Sequence, residues 1–290
     1  MRGSGSSQAA KRAYWTREME TGYEFMMKVL AHPVCDAGEA LVSLPEALRG
    51  TGIEVVFFRR QRIPGHRPIF RLRAGLVKPW LSAAEAMNRH GWRIRIEDGY
   101  RTRSMQNPLN RPPALFDAIL RRLLWETEGR FPSPEFVFRR LTVLVTTIPK
   151  LGTHMSGSAM DISVLKRKNG EEVDRGAPYL EMSELTPMAS PYAPAAARRN
   201  RAGISRIMAE HGFAAYPFEF WHYSGGDAYA AILSEKKQPA RYGPVDLLND
   251  SGRIRPIDNP ALPLINPVEI QAALSKAARR LGIKIPAKME

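Results

Sequence analysis

The chain has 290 residues, 44% of them hydrophobic, and carries 43 Lys and Arg against 29 Asp and Glu, a formal net charge of +14. That apolar share is ordinary for a globular protein and argues against wholesale disorder, and no run approaches the ~18 apolar residues of a membrane span. A single cysteine, Cys35, excludes an intrachain disulfide and a cysteine-built zinc knuckle, and reads as a packed or idle thiol. With no signal-peptide core at the amino terminus, the expectation is a soluble, cytoplasmic protein. The arginines gather at Arg59, Arg60, Arg62, Arg67, Arg71 and Arg73, with smaller groups at Arg198, Arg199 and Arg201 and at Arg279 and Arg280. Such charge points either to contact with an anionic polymer or acidic substrate, or to a solvated basic face. No nucleic-acid motif or stacking-aromatic pattern accompanies it, so nucleic acid is not the expected partner.

In chain order, residues 1–12 are small and polar without periodicity and read as a disordered leader. Helical spacing of apolar residues runs from Tyr14 to Leu30 and stops before His32-Pro33. The β-branched and aromatic run Ile53–Phe58 reads as a strand, followed by a turn at 63–68 in which His66 is a loop residue. A helix is expected over Leu76–His90, stopped by Gly91, then an alternating strand from Trp92 to Glu97 that Asp98-Gly99 ends. Leu115–Trp125 is a helix opened by Pro112-Pro113. Ser133-Pro134 caps another, with Val137, Leu141, Leu144 and Val145 on one face. Ala159–Val164 reads as a strand, 173–195 as a long loop of the kind that borders active sites, and Arg198–His211 as a helix with Gly212 as its stop. After an irregular segment from Tyr242 punctuated by Pro256, Pro260 and Pro263, Asn266-Pro267-Val268-Glu269 opens a last helix ending at Leu281-Gly282. The economical picture is one α+β domain over 13–245, with 246–290 as an irregular extension plus a carboxy-terminal helix packed on it.

Two stretches carry chemistry. Gly152-Thr153-His154-Met155-Ser156-Gly157-Ser158-Ala159-Met160-Asp161 and Tyr216-Pro217-Phe218-Glu219-Phe220-Trp221-His222-Tyr223 together offer two imidazoles and two carboxylates. That set suits one zinc ion, with His154, Asp161 and His222 as ligands, a fourth position open to water, and Glu219 left as base. The small residues between His154 and Asp161 allow a reversal that brings the two together, and the aromatic run around Glu219 and His222 would exclude water and stiffen rotamers. A cation that could face a reacting carbonyl, Arg101, lies in Glu97-Asp98-Gly99-Tyr100-Arg101. On the residues alone, polar groups satisfied within a core remain an equal reading.

The arrangement resembles the zinc D-alanyl-D-alanine dipeptidases and related carboxypeptidases over roughly residues 70–245. His154 to Asp161, with Gly157 and Ala159 between, matches their Ser-x-His-x-x-Gly-x-Ala-x-Asp signature; Glu219-Phe220-Trp221-His222 resembles Glu-Trp-Trp-His, and Gly99-Tyr100-Arg101 their Gly-Tyr-Arg. The resemblance implies a central antiparallel sheet flanked by helices, the fold of the hedgehog signalling domain and lysostaphin. It also implies one Zn2+ per chain on His154, Asp161 and His222, with Glu219 as general base and acid and Arg101 holding the oxyanion. Thr153, Tyr100, Glu181 and Trp221 are the candidate contacts to a small peptide substrate. Two positions depart from the pattern: Gly152 stands where the family carries Ser, and Leu180 where it carries the acid that receives the substrate's free amine, with Glu181 next along. A D-Ala-D-Ala dipeptidase is therefore the first expectation. A peptidase of larger peptidoglycan stem peptides, including one delivered to another cell as an effector, is the second, and a non-catalytic zinc-stabilised binding module the third.

Overall fold

β-Branched and aromatic runs build the strands, and helical apolar periodicity builds the layers around them. The computed structural model describes residues 3–63, 65–235 and 237–286. Its elements are α1 (Gly3–Ala31), β1 (Leu41–Ser43), α2 (Leu44–Ala47), β2 (Val55–Phe57), β3 (Arg71–Arg73), α3 (Ala74–Arg89), β4 (Trp92–Asp98) and α4 (Arg103–Leu109). They continue through α5 (Pro113–Glu126), α6 (Pro134–Leu144), a 3-10 turn (Pro149–Leu151), β5 (Ala159–Lys166), α7 (Ala195–Glu210), β6 (Ala214–Ala215) and β7 (His222–Ser224). α8 (Ala228–Leu233), β8 (Val245–Leu247), β9 (Ile254–Pro256) and α9 (Pro267–Leu281) complete the chain.

The central sheet has the order β2-β4-β5-β7-β6. The α+β fold with a helix-flanked sheet is as expected, but the sheet is mixed: β2 runs parallel to β4 and the other pairs are antiparallel. The chain between β2 and β4 includes β3 and α3, a crossover long enough to return it to the same end of the sheet. Residue alternation then assigns the two faces. Met160, Ile162 and Val164 of β5, Ile94 and Ile96 of β4 and Tyr223 of β7 pack with Trp80 and Met87 of α3 and Ile204 and Met208 of α7. The intervening Asp161 and His222, paired in register across β5 and β7, turn to the opposite face. On that side Trp15, Met19 and Met26 of α1 pack with Tyr216 and Phe218. A further core joins α5, α6 and α9 through Phe116, Leu120, Leu141, Ile270 and Leu274. Each such fully buried large side chain contributes about 1.5–3 kcal/mol.

The helix ends follow their capping residues. Ser133 accepts from the Phe136 N–H, and Asn266 and Glu269 form a reciprocal capping box whose helix ends on left-handed Gly282.

Three expectations are corrected. Residues 3–12, read as a disordered leader, extend α1 back to Gly3, and Lys11 and Arg12 tie that turn down through Glu184 and Glu128. Residues 1 and 2 of that leader, like Pro64 of the expected 63–68 turn and 287–290 of the tail, lie outside the described residues. The boundary at 245 falls inside β8, which pairs with β9 in a segment expected to be irregular. The arginine cluster is not a uniform solvated face. Arg73 is fully buried, donating to Asp36 and to the carbonyls of Glu39, Ser156 and Gly243, and Arg71 donates to those of Leu41 and Asp250. Arg62 pairs with Glu97, while Arg59, Arg60 and Arg67 are exposed. Cys35, expected to be a packed or idle thiol, is free and exposed. Among the described residues no helix is long and apolar enough to cross a membrane.

Candidate metal centre

The 3-10 turn at Pro149–Leu151 delivers the chain into the loop that carries His154. Hydroxyls close that loop: Ser156 donates to the Thr153 carbonyl at 2.7 Å and Ser158 to the Asp227 carboxylate at 2.6 Å. Gly157 sits at φ +67°, and a Cβ there would lie 2.2 Å from Leu41, so the reversal toward β5 needs glycine on both counts. From β5 comes Asp161, flanked in register by Asp98 of β4 and His222 of β7. Three adjacent strands thus bring acid, acid and imidazole side by side.

His154, Asp161 and His222 are all buried, and their ligating atoms lie within 4.8 Å of one another. His154 Nε2 and His222 Nδ1 approach the same oxygen, Oδ1 of Asp161, at 3.2 and 3.0 Å, with the two rings tilted at 75°. Their outer nitrogens are also held. His154 Nδ1–H donates to the Gly99 carbonyl at 2.7 Å, and His222 Nε2 lies 2.8 Å from the Thr153 hydroxyl. Those bonds leave Nε2 of one ring and Nδ1 of the other facing inward. The second Asp161 oxygen, Oδ2, accepts from the Tyr179 hydroxyl at 2.7 Å and lies 3.8 Å from Arg101 Nη2. Arg101 is itself fixed by Asp98, 2.9 Å from both Nε and Nη2, and by Gln106 at 3.1 Å from Nη1.

The electrostatics separate the two acids. Burial works against ionising Asp161, but the charge and hydrogen bonds of His154 and His222 outweigh it and hold the carboxyl well below its usual range. Burial and the neighbouring Asp161 push Glu219 well above its usual range, against the pull of Arg101 and the Trp221 indole. Burial lowers His222 despite Asp161, favouring the neutral imidazole. Burial opposes the Arg101 charge, yet Asp98, Asp161 and Tyr179 raise its pKa above the ordinary value, so it stays a cation. Burial and the nearby Asp161 and Asp98 carboxylates raise the Tyr179 phenol, which therefore remains a donor. The two carboxyls are thus pushed in opposite directions, Asp161 toward the anion and Glu219 toward a tighter hold on its proton, as is common for acids in functional sites.

A cavity of about 300 Å³ opens beside this cluster. Arg101, Thr153, Glu181, Glu219 and Trp221 line it together with the three clustered residues, and Met26, Leu109, Leu115, Val143 and Met182 give it an apolar wall. Eight of the nine expected site residues therefore line one cavity, and Tyr100 does not. Thr153 also lines the cavity, but its hydroxyl is engaged with His222. Tyr100 is corrected: it is fully buried, donates to the Val245 carbonyl at 2.7 Å and accepts from the Leu247 N–H at 3.0 Å. It anchors β8 and does not line the cavity. Leu180 stands on the cavity rim, 56% exposed and at φ +67°. Sequence reasoning missed Gln106 and Tyr179. Nothing in the sequence marks the first; the only signal for the second was its place in the long 173–195 loop.

The D-ala-D-ala dipeptidase family matches residues 136–239, a span that holds His154, Asp161, Glu219 and His222 but not Arg101. A curated D-alanyl-D-alanine dipeptidase of Escherichia coli (strain K12) is 33% identical over 101 residues, 35% of this chain and 46% of that protein. That of Enterococcus faecium is 26% identical over 167 residues, 58% of this chain and 75% of its own length. The chain therefore spans just under half of the first relative and three quarters of the second. Among solved structures, the LD-carboxypeptidase LdcB is similar at a TM-score of 0.35 and 16% identity, over 71% of this chain and 77% of that one. The vancomycin resistance D,D-pentapeptidase VanY, in complex with Zn(II), is similar at 0.33 and 15%, over 65% and 89%. Residues 136–239 carry a peptidase-family domain. The similarity to D-Ala-D-Ala dipeptidases is thus found in this span and in the matched parts of these relatives, where the sequence motifs also lie.

Proposed function

We propose that the protein is a zinc-dependent peptidase that hydrolyses D-alanyl-D-alanine or a similar short D-amino-acid-containing peptide, with one Zn2+ per chain on His154, Asp161 and His222. The observation that carries this reading is the convergence of two imidazole nitrogens on one Asp161 oxygen, beside a cavity that Glu219 and Arg101 share. Two imidazoles and one carboxylate form a donor set that fits catalytic zinc and leaves a position for water. Both outer imidazole nitrogens are already occupied in the way that ligating histidines require. Zinc held there supplies Lewis acidity, several kcal/mol of charge stabilisation at a peptide carbonyl and the attacking water.

The chain's own residues do the rest. Glu219 takes the proton of the attacking water and gives it to the departing amine, a task that its raised pKa suits. Arg101, braced by Asp98 and Gln106, donates to the carbonyl oxygen as it gains charge. Trp221 and the apolar wall keep bulk water from the reacting atoms.

A second reading has its own support. Leu180 offers no charge to a free amine and leaves Glu181 as the neighbouring acid in the lining, which gives a longer or amino-blocked stem peptide of peptidoglycan support as the alternative substrate. A product assay on the zinc-supplemented protein separates the two, offering free D-Ala-D-Ala beside stem peptides blocked and unblocked at the amino end. Cleavage of the dipeptide, absent in Glu219→Gln, is the expected result. Cleavage of only longer or blocked peptides selects the second reading, and cleavage of none refutes a peptidase in favour of a binding module.

A further inference from the structure

Tyr179 has no part in the proton transfers above, yet both its hydroxyl and its ring are engaged in the site. The Arg62 guanidinium carbon lies 4.4 Å from its centroid, and the same guanidinium lies 3.9 Å from the Phe58 ring and pairs with Glu97 at 2.5 Å. Trp221 meets it edge-on at 5.5 Å and 82°. The loop that carries Tyr179 is fastened to the strand that carries Asp161. Arg175 donates to the Ile162 carbonyl at 2.7 Å and to Ser163 Oγ at 3.0 Å, both on β5, and its own carbonyl accepts from Arg201 at 2.7 Å. Packing therefore sets the position of the Tyr179 hydroxyl, which lies 2.7 Å from Asp161 Oδ2.

This makes the two oxygens of Asp161 unequal. Oδ1 faces both imidazoles, while Oδ2 is engaged by Tyr179. Arg101 lies 3.8 Å from Oδ2, too far to hold it by a hydrogen bond. We propose that Tyr179 is a positioning residue that holds Asp161 with a single oxygen presented to the metal, and that Arg62 and Glu97 are the outer clamp on its ring. Without the phenol, the carboxylate is free to rotate about its terminal torsion, which is soft, and to turn either oxygen toward the histidines. The inference rests on the metal reading of the preceding subsection. It also gives a role to Arg62 and Phe58, which lie outside the span matched to the family.

The test is the dissociation constant for zinc, measured on the full chain by competition with a chromophoric chelator, together with the melting temperature of the metal-free protein. Tyr179→Phe keeps the stacked ring and removes only the hydroxyl. Its zinc affinity is expected to fall by about 10–100-fold, the range for a lost outer partner of a metal ligand, while its metal-free melting temperature stays that of the wild type. Wild-type affinity in that variant overturns the inference. Should Tyr179→Phe fail to fold, Arg62→Met carries the test, because it keeps the hydroxyl and releases the ring. A loss of about tenfold, the low end of the same range, is expected there, and unchanged affinity contradicts the clamp. A wild type that takes up no zinc at all removes both this inference and the metal reading, and so is distinguishable from a wild type that binds zinc beside a variant that binds it equally well.

Discussion

Glu219 shows how a functional demand can act against stability. Its carboxyl is raised by burial and by Asp161, so the folded chain holds this proton more tightly than the unfolded chain does. Well below the ordinary Glu range the group is protonated in both states and costs nothing. As pH rises past that range, the unfolded chain ionises freely while the folded one does not, and folding stability falls until the folded pKa is passed. Glu219→Gln removes that loss. The metal-free variant should therefore melt above the wild type at about pH 7, with the difference vanishing near pH 3.5, below the unperturbed Glu value of about 4.3. Its turnover should fall by at least ~10²-fold. Equal melting temperatures at neutral pH would contradict the assigned shift. At this scale the sequence was informative where the chemistry constrains residue type: His154, Asp161, Glu219 and His222 stand in recognisable motifs and meet in space. It misled at Tyr100, because neighbours along an extended segment face opposite ways, so Arg101 reaches the cavity while Tyr100 turns to β8. Tyr179 was hidden because its contact to Asp161 depends on the path of a loop without periodicity.

The 173–195 loop is an element without regular structure that is nevertheless rigidly placed. Arg201 of α7 is buried and donates to the carbonyls of Arg175, Leu185 and Pro187 at 2.7–2.9 Å. Burial, with Arg175 nearby, lowers its pKa to about 10, still well above neutral pH. Arg201→Leu keeps the apolar stem and leaves those carbonyls without their donor. Since each hydrogen bond to a charged group contributes about 1.5–3 kcal/mol, the variant should lose on the order of 3 kcal/mol in a denaturant titration. An unchanged midpoint would show that the loop holds itself. The sequence marks α7 through Ile204, Ile207 and Met208, but it does not separate inward Arg201 from exposed Arg198 and Arg199. Long helices and the eight-residue β5 were readable because several periods of burial fall within them. β1, β3, β6, β8 and β9 span two or three residues each, too short for alternation to register.

At the scale of the whole chain, distant segments converge on one small volume. α1 supplies Met26 to the cavity wall, the chain after β4 supplies Arg101, the 3-10 turn leads to His154, and β7 brings His222. Tyr100 ties the carboxy-terminal hairpin of β8 and β9 to the same region, so the segment after 245 is continuous with the site. The sequence indicated an α+β chain with a helix-flanked sheet but not its parallel edge, because pairing direction depends on a crossover and leaves no mark in the strand itself. The central claim is that His154, Asp161 and His222 grip one zinc ion. Zinc-edge X-ray absorption on the purified full chain tests it most directly. The account predicts one ion per chain, with two imidazole nitrogens at about 2.0–2.1 Å, oxygen ligands at about 2.0–2.2 Å and no sulfur. A chain that retains no zinc after zinc-supplemented expression, or a spectrum without imidazole scattering, would contradict it.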